Sequence, residues 1–141
     1  MNTDKLAALC KGKEITEVWQ SAEIKAEAKR LREHFQAIVG EWFDRDGLKH
    51  IPIYVSLKPK NKLYGKYIYG AGRRAKASIV LYPIRAMAPP PIGTSYTIRD
   101  YEGLLSTLCH EYAHHVDPTA GHGTRFGKTN AKISARLKEI R

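Results

Sequence analysis

The stretch TIRDYEGLLSTLCHEYAHHVDP occupies residues 97–118 and has the pattern of a single amphipathic helix. Its apolar residues recur every three to four positions, which places them on one helical face. Thr97 and Asp100 resemble a capping box in which Asp replaces the usual Glu, so we expect the helix to begin there. Pro118 disfavours helical geometry in the residue before it, so the helix is expected to end by Asp117.

The same helix carries His110-Glu111-Tyr112-Ala113-His114, an H-E-x-x-H motif. Residues four apart lie one above the other on a helix, so both imidazoles can reach one metal ion. The adjacent Glu111 can then hold and deprotonate the water that attacks a substrate. Small residues on the same stripe, such as Thr107, leave room beside the histidines. The motif therefore indicates a zinc-dependent hydrolase, with His110 and His114 as two of the zinc ligands.

A catalytic zinc site needs three protein ligands and an open position for water. The candidates for the third ligand that follow His114 in the sequence are His115, Asp117, His122 and Glu139. His115 is about 100° around the helix from His114, so it points elsewhere. Asp117 is better suited to a hydrogen bond with a ligand histidine. Glu139 lies near the C-terminal end of the sequence, where fraying is expected.

His122 is the favoured third ligand. It follows a chain reversal after Pro118, and the flanking residues Gly121 and Gly123 let the backbone turn sharply. Cys109 is on the apolar face of the helix, so it is predicted to be a buried core residue and not a ligand. One alternative stays open, in which the motif is only a polar helix face and no metal binds.

The composition is that of one intracellular domain. The 141 residues are enough for one core and too few for two domains. No run approaches the roughly 18 apolar residues of a membrane span, and residues 1–5 lack the features of a secretion signal. The two cysteines, Cys10 and Cys109, are too few for a disulfide-rich scaffold or a four-cysteine zinc ribbon. We therefore expect a cytoplasmic or nucleoid-associated location and no membrane partner.

The positive charge is concentrated in the middle of the chain. The net charge is +10, yet residues 1–46 hold eight Lys or Arg against nine Asp or Glu, and residues 100–141 hold six against five. Residues 47–99 contain ten basic residues and no acidic one. A surface of one sign attracts polyanions, of which nucleic acid is the commonest in a cell. The predicted nucleic-acid contacts are the most closely grouped basic residues, Lys58, Lys60, Lys62, Lys66, Arg73, Arg74 and Lys76.

The remaining elements follow from hydrophobic periodicity. Helices are predicted at residues 21–43, with Ser21 as the N-cap, and at residues 124–141. Alternating apolar and polar residues predict three half-buried strands, at residues 51–57, 63–69 and 77–82. We interpret these strands as a small antiparallel sheet with a basic rim. Residues 1–20 are predicted to form an N-terminal extension with one or two short helical pieces.

The motif His110-Glu111-x-x-His114, followed by Gly121-His122-Gly123-x-x-Phe126, resembles that of the SprT-like zinc metallopeptidases. This family includes the Spartan proteases of DNA–protein crosslink repair. The resemblance follows the order of elements over residues 21–140 and, in residues, depends on these two short motifs. It implies an α+β, zincin-like fold with an N-terminal helix, a three-stranded antiparallel sheet, an active-site helix and a C-terminal helix. Residues 21–141 would then be a single metallopeptidase domain.

By the same resemblance, His110, His114 and His122 would hold one Zn²⁺ ion and Glu111 would be the general base. Phe126 would pack under the site. The implied substrate is a protein or peptide, and the basic surface makes nucleic-acid-associated proteins the expected targets. A tyrosine or an arginine is expected to help hold the developing oxyanion, and an extended substrate can pair with the edge of the sheet. The competing interpretation is a nucleic-acid-binding module whose metal is structural or absent.

Overall fold

The computed structural model describes residues 2–68, 76–87, 95–117 and 123–137. Within these ranges the chain is α+β, as predicted, with five helices and two small sheets. The helices are α1 (Asp4–Cys10), α2 (Ile15–Gln20), α3 (Ala22–Asp46), α4 (Tyr101–Val116) and α5 (Thr124–Ser134). The strands are β1 (Ile53–Val55), β2 (Gly65–Ile68), β3 (Ser78–Leu81), β4 (Ile84–Ala86) and β5 (Tyr96–Ile98).

The long helix α3 begins where its N-cap was predicted. The side chain of Ser21 accepts a hydrogen bond from the backbone N–H of Ile24. The helix continues past the predicted end at residue 43 and stops at Asp46, because Gly47 takes a left-handed conformation with φ of 65°. Its inward face is buried along its whole length, with Ile24, Leu31, Phe35, Val39 and Trp42 in the core.

The three-stranded sheet has the order β1-β3-β2, and it is not antiparallel throughout. β2 pairs with β3 antiparallel, with Gly65 opposite Leu81, but β1 pairs with β3 in parallel, with Ile53 opposite Ile79. The prediction of a wholly antiparallel sheet is therefore wrong for β1. Side-chain alternation determines which face of a strand is buried, but it carries no information about the direction of the neighbouring strand.

A second sheet, formed by β4 and β5, was not predicted. It takes up Thr97 and Ile98, which the capping-box interpretation had assigned to the start of the active-site helix. That interpretation is wrong, since Asp100 is itself the N-cap and its Oδ1 accepts a hydrogen bond from Gly103 N at 2.7 Å. The strand pairing of residues 96–98 with β4 outweighs their local capping pattern.

The first two helices belong to the same core as the rest of the chain. Leu6 and Val18 are fully buried in the cluster that also contains the apolar face of α4. Two long-range hydrogen bonds reinforce this packing. Thr3 Oγ1 donates to the backbone oxygen of Arg99 at 2.8 Å, and Trp19 Nε1 donates to the backbone oxygen of Leu57 at 2.8 Å. Residues 2–20 therefore pack with the rest of the described core, and Thr3 helps to position the segment that leads into α4.

An ion pair and a hydrogen bond connect α3, α4 and α5. Arg136, just after α5, donates to both carboxylate oxygens of Asp46 at 2.7 and 2.9 Å. Tyr112 of α4 donates its hydroxyl to the same carboxylate. The hydrogen bonds from Arg136 hold the pKa of Asp46 below its usual range. The ends of α3 and α5 are thereby tied to the middle of α4.

Replacing Asp46 with Asn should lower the free energy of unfolding by about 2 kcal/mol at neutral pH, since the charged hydrogen bonds to a buried guanidinium are lost. A carboxyl group whose pKa is lowered by folding stabilises the protein above its unfolded pKa, and this contribution is lost as the pH falls through its folded pKa. Urea unfolding at pH 7 and at about pH 3 should therefore show that the difference in free energy of unfolding between the parent and Asp46→Asn is smaller at the lower pH. The exposed Glu41→Gln on the same helix is the control, and an equal difference at both pH values would contradict the assignment.

Candidate metal centre

Two imidazoles and one carboxylate converge on one face of α4. One ligand atom each from His110, Glu111 and His114 lies within 4.8 Å of the others. The two imidazole ring centroids are 5.0 Å apart, and Nε2 of His110 is 3.9 Å from Oε1 of Glu111. Both histidines are half-buried, whereas Glu111 is only 5% exposed. The four-residue spacing thus brings the two histidines together, and His110, Glu111 and His114 form a possible metal site, the candidate metal-binding group.

The buried Phe126 of α5 packs against the rings of His110 and His114. Its ring stacks on that of His114 with centroids 4.4 Å apart, and it meets the ring of His110 nearly edge-on at 4.9 Å. These contacts restrict the rotation of both imidazoles. Phe126 therefore packs directly against both histidines.

The side chain of His115 lies on a different face of α4. Its ring makes an edge contact with Phe43 at 5.5 Å, and its Nδ1 is 3.2 Å from the hydroxyl of Tyr67. Burial lowers the pKa of His115. It therefore belongs to the packing between α3, α4 and β2, and not to the metal-binding group.

The other candidates for a third ligand have different outcomes. Asp117 is the C-cap residue of α4 and is not in the group of His110, Glu111 and His114. His122 and Glu139 lie outside the described residues, so the assignment of His122 stays a prediction. Cys109 is fully buried in the core, as expected.

Glu111 is shielded from solvent by the close approach of β2. A Cβ atom added to Gly65 would lie 2.5 Å from Cγ2 of Thr107 and 3.3 Å from Cγ of Glu111. Burial raises the pKa of Glu111 to about 7. Sequence reasoning did not single out Gly65, although a glycine inside a strand pattern is a known sign of close backbone approach.

A cleft of about 680 Å³ lies between α4 and β2 and opens onto the metal-binding group. Its α4 side includes Ser106 and Thr107 together with the three residues of the group, and its other side is formed by residues 62–67. Arg99 lines the cleft on the side nearer the start of α4. The sheet order leaves β2 at an edge, so among the described residues its second edge has no strand partner.

Arg99 is fixed in this cleft by three contacts. Its Nη2 donates to the backbone oxygen of Gly103 at 3.0 Å, and its Nη1 donates to that of Tyr64 at 3.3 Å. The guanidinium carbon also lies 4.5 Å from the centroid of the Tyr64 ring. Burial lowers the pKa of Arg99. Its place in the cleft could not be read from the sequence, where it is one of ten basic residues in a long segment.

The predicted nucleic-acid residues are only partly grouped. Lys58, Lys62, Lys66 and Lys76 are exposed, and Lys60 is half-buried with its Nζ 5.3 Å from the centroid of the Tyr82 ring. Lys62 and Lys66 line the cleft, whereas the other three do not. Arg73 and Arg74 lie outside the described residues. Contact with nucleic acid therefore stays a prediction.

Replacing Gly65 with Ala should destabilise the fold by about 1–3 kcal/mol, since the new methyl group would overlap Thr107 and approach the backbone oxygen of Val80. Adding Thr107→Ser removes the clashing methyl group while keeping the hydroxyl, so the double variant should regain part of this stability. Thermal unfolding of the single and double variants measures the coupling. Gly127→Ala, where an added Cβ meets no atom within 4 Å, is the control, and it should stabilise the protein slightly because Ala is favoured over Gly inside a helix. A Gly65→Ala protein as stable as the parent would show that β2 does not pack directly on α4.

No protein-family model, curated protein or solved structure matches this chain. Among the described helices, none is both long enough and apolar enough to cross a membrane.

Proposed function

We propose that this chain is a zinc-dependent peptidase of the SprT-like, zincin type, which hydrolyses peptide bonds in nucleic-acid-associated proteins. The observation that carries the proposal is the group of two half-buried imidazoles and one buried carboxylate at the edge of an open cleft. A merely polar helix face would have no need to bury its carboxylate beneath a strand.

The donor set of the group fits a zinc ion. Neutral imidazole nitrogens are ordinary zinc ligands, and His110 and His114 present two of them on one side of the helix. We assign the third position to His122, in the segment between α4 and α5. A Zn²⁺ ion held there would supply Lewis acidity, which polarises a substrate carbonyl and acidifies water.

Glu111 is proposed as the general base. Its burial gives it a pKa of about 7, which suits it to take a proton from the attacking water near neutral pH. The same carboxylate can then pass the proton to the leaving amine. Phe126 holds the two histidine rings on the α5 side while this occurs.

The edge of β2 is proposed as the substrate-binding strand. Its partner β3 occupies one edge, and the main-chain groups of the other edge can pair with an extended peptide. Gly65 brings this strand against the helix at the level of Glu111. A peptide added to β2 would therefore pass beside the catalytic group.

The second candidate function is a nucleic-acid-binding module. It is favoured by the segment of residues 47–99, which has ten basic residues and no acidic one, and by the exposure of Lys58 and Lys76 outside the cleft. Nucleic-acid contact at these lysines is also compatible with peptidase activity. The two functions are separated by asking whether zinc and Glu111 are required.

Metal analysis combined with cleavage of a DNA-binding protein, with and without DNA, tests the peptidase. The parent protein should hold about one zinc per chain, and His110→Ala should lose it because an imidazole ligand is removed. Glu111→Gln should keep the zinc and lose cleavage by about 100-fold or more, since it cannot accept a proton. His50→Ala, an exposed histidine outside the group, is the control for both measurements. A zinc-free parent, with DNA binding unchanged in His110→Ala, would instead support the binding module.

Nucleic-acid contact by the exposed lysines predicts a particular salt dependence. Replacing Lys58 and Lys76 with Ala should weaken DNA binding and reduce the slope of log K against log salt by about 0.7–0.9 for each lost phosphate contact. Zinc content should not change. The matched control is Lys25→Ala with Lys29→Ala, two exposed lysines of α3. Equal slopes for the two double variants would exclude Lys58 and Lys76 as contacts.

A further inference from the structure

We infer that Arg99 forms an anion-binding subsite in the cleft, and that this subsite selects peptides with an acidic side chain about three residues from the cleaved bond. The inference deepens the proposed function and rests on it for the identity of the substrate. The observations that carry it are the lack of an ion pair at Arg99 among the described residues, its fixed orientation and its distance from the metal-binding group.

Among the described residues no carboxylate forms an ion pair with Arg99, although the nearby Asp100 acts on it through space and partly offsets the lowering of its pKa by burial. Among the described residues, no acidic oxygen lies within 4.0 Å of its guanidinium nitrogens. The neighbouring Asp100 uses Oδ1 to cap α4 through Gly103 N. Both hydrogen-bond acceptors of Arg99 are neutral backbone oxygens, those of Tyr64 and Gly103. Partial burial of a cation that forms no ion pair is costly, so an anionic ligand would be bound favourably.

The orientation of Arg99 is fixed before any ligand binds. Its backbone N–H donates to the oxygen of Pro83 at 2.8 Å, and its backbone oxygen accepts from Thr3 Oγ1 at 2.8 Å. The guanidinium lies over the Tyr64 ring and makes its two hydrogen bonds there. Of its five N–H donors, three are left to bind a carboxylate, which is enough for a bidentate pair.

The charges around the cleft favour an acidic peptide. Lys62 and Lys66 line it together with Arg99, and Glu111 is the one acidic residue among the described residues that line it. Glu111 lies beside the histidines, on the far side of Thr107 from Arg99. The half of the cleft nearer the start of α4 is therefore cationic.

The length of α4 between Gly103 and His110 gives the distance from Arg99 to the metal-binding group. Arg99 is hydrogen-bonded to Gly103, which precedes His110 by seven residues, or about 10 Å along an α-helix. An extended peptide covers about 3.3 Å per residue, so this distance corresponds to about three residues. β2 runs alongside α4 in the same direction, since Tyr64 meets Arg99, Gly65 meets Thr107 and Tyr67 meets the His114 ring. A peptide on the edge of β2 would therefore reach from the metal-binding group to Arg99.

Paired peptides test the inference without any protein variant. Fluorogenic peptides of neutral sequence would carry a single Glu at the second, third or fourth position on either side of the cleaved bond, each matched by a Gln peptide. The expected result is a kcat/KM about tenfold higher for Glu than for Gln at one position near the third. A ratio near one at every position, with cleavage intact, would overturn the subsite and leave the peptidase standing.

Variants then assign the preference to Arg99. Arg99→Gln should abolish the ratio between the Glu and Gln peptides through KM, whereas Arg99→Lys should keep part of it, because charge remains without the bidentate geometry. Arg85→Gln is the matched control, since Arg85 also lies over the Tyr64 ring but does not line the cleft. Thermal unfolding and zinc content establish that each variant is folded. A ratio unchanged in folded Arg99→Gln and Arg99→Lys would overturn the assignment.

Direct binding separates this inference from the proposed function. Fluorescence anisotropy with the same labelled peptides and the Glu111→Gln protein measures recognition when no cleavage occurs. Tighter binding of the Glu peptide that depends on Arg99 would support the subsite even if the parent cleaves nothing. If Arg99→Gln instead weakens binding of single-stranded DNA and the peptides show no preference, the subsite binds phosphate and the inference is wrong.

Discussion

The close packing of β2 against α4 at Gly65 is the constraint on which the site depends. Because Gly65 has no side chain, the strand can approach Thr107 and Glu111 to a distance that no other residue would allow. This approach buries the Glu111 carboxylate and raises its pKa to about 7. It also places β2 at the edge of the cleft, where its outer edge has no strand partner among the described residues. One missing methyl group thus links the geometry of the sheet to the acidity of the proposed base.

Helix α4 is also held on the side of α5, by apolar contacts and by an ion pair. Phe126 fixes the two histidine rings by apolar contact, and the Asp46–Arg136 ion pair with Tyr112 ties the end of α5 to α3 and α4. Apolar packing is insensitive to pH, whereas the ion pair weakens as Asp46 is protonated. Loss of the ion pair would loosen α5 before it loosened the β2 side. α5 is therefore held by one contact that is insensitive to pH and by one that weakens in acid.

The placement of side chains on the faces of α4 could be predicted from the sequence, because it depends only on local helix geometry. A four-residue spacing on a helix is sufficient to place His110 and His114 on one face, and the apolar face of the same helix accounts for the burial of Cys109. The predicted direction of β1 was wrong because the alternation of apolar and polar residues contains no information about strand direction. The predicted start of α4 was wrong because Asp100 can serve either as the N3 residue of a capping box or as the N-cap itself, and only the pairing of β5 decides between these roles. The positions of Arg99 and Gly65 in the cleft could not be predicted from the sequence, because they result from contacts between segments that are distant in the sequence.

The basic segment divides into two surfaces with different physical properties. Lys58 and Lys76 are exposed outside the cleft, where mobile ions screen charges over roughly a Debye length of 8–10 Å. Arg99 is half-buried and held by backbone oxygens, so added salt should weaken its interactions much less. If both anions bind as proposed, salt would release a nucleic acid from the outer lysines while a peptide carboxylate in the cleft stayed bound. On this proposal the basic segment binds two kinds of anion, and the two interactions differ in their sensitivity to ionic strength.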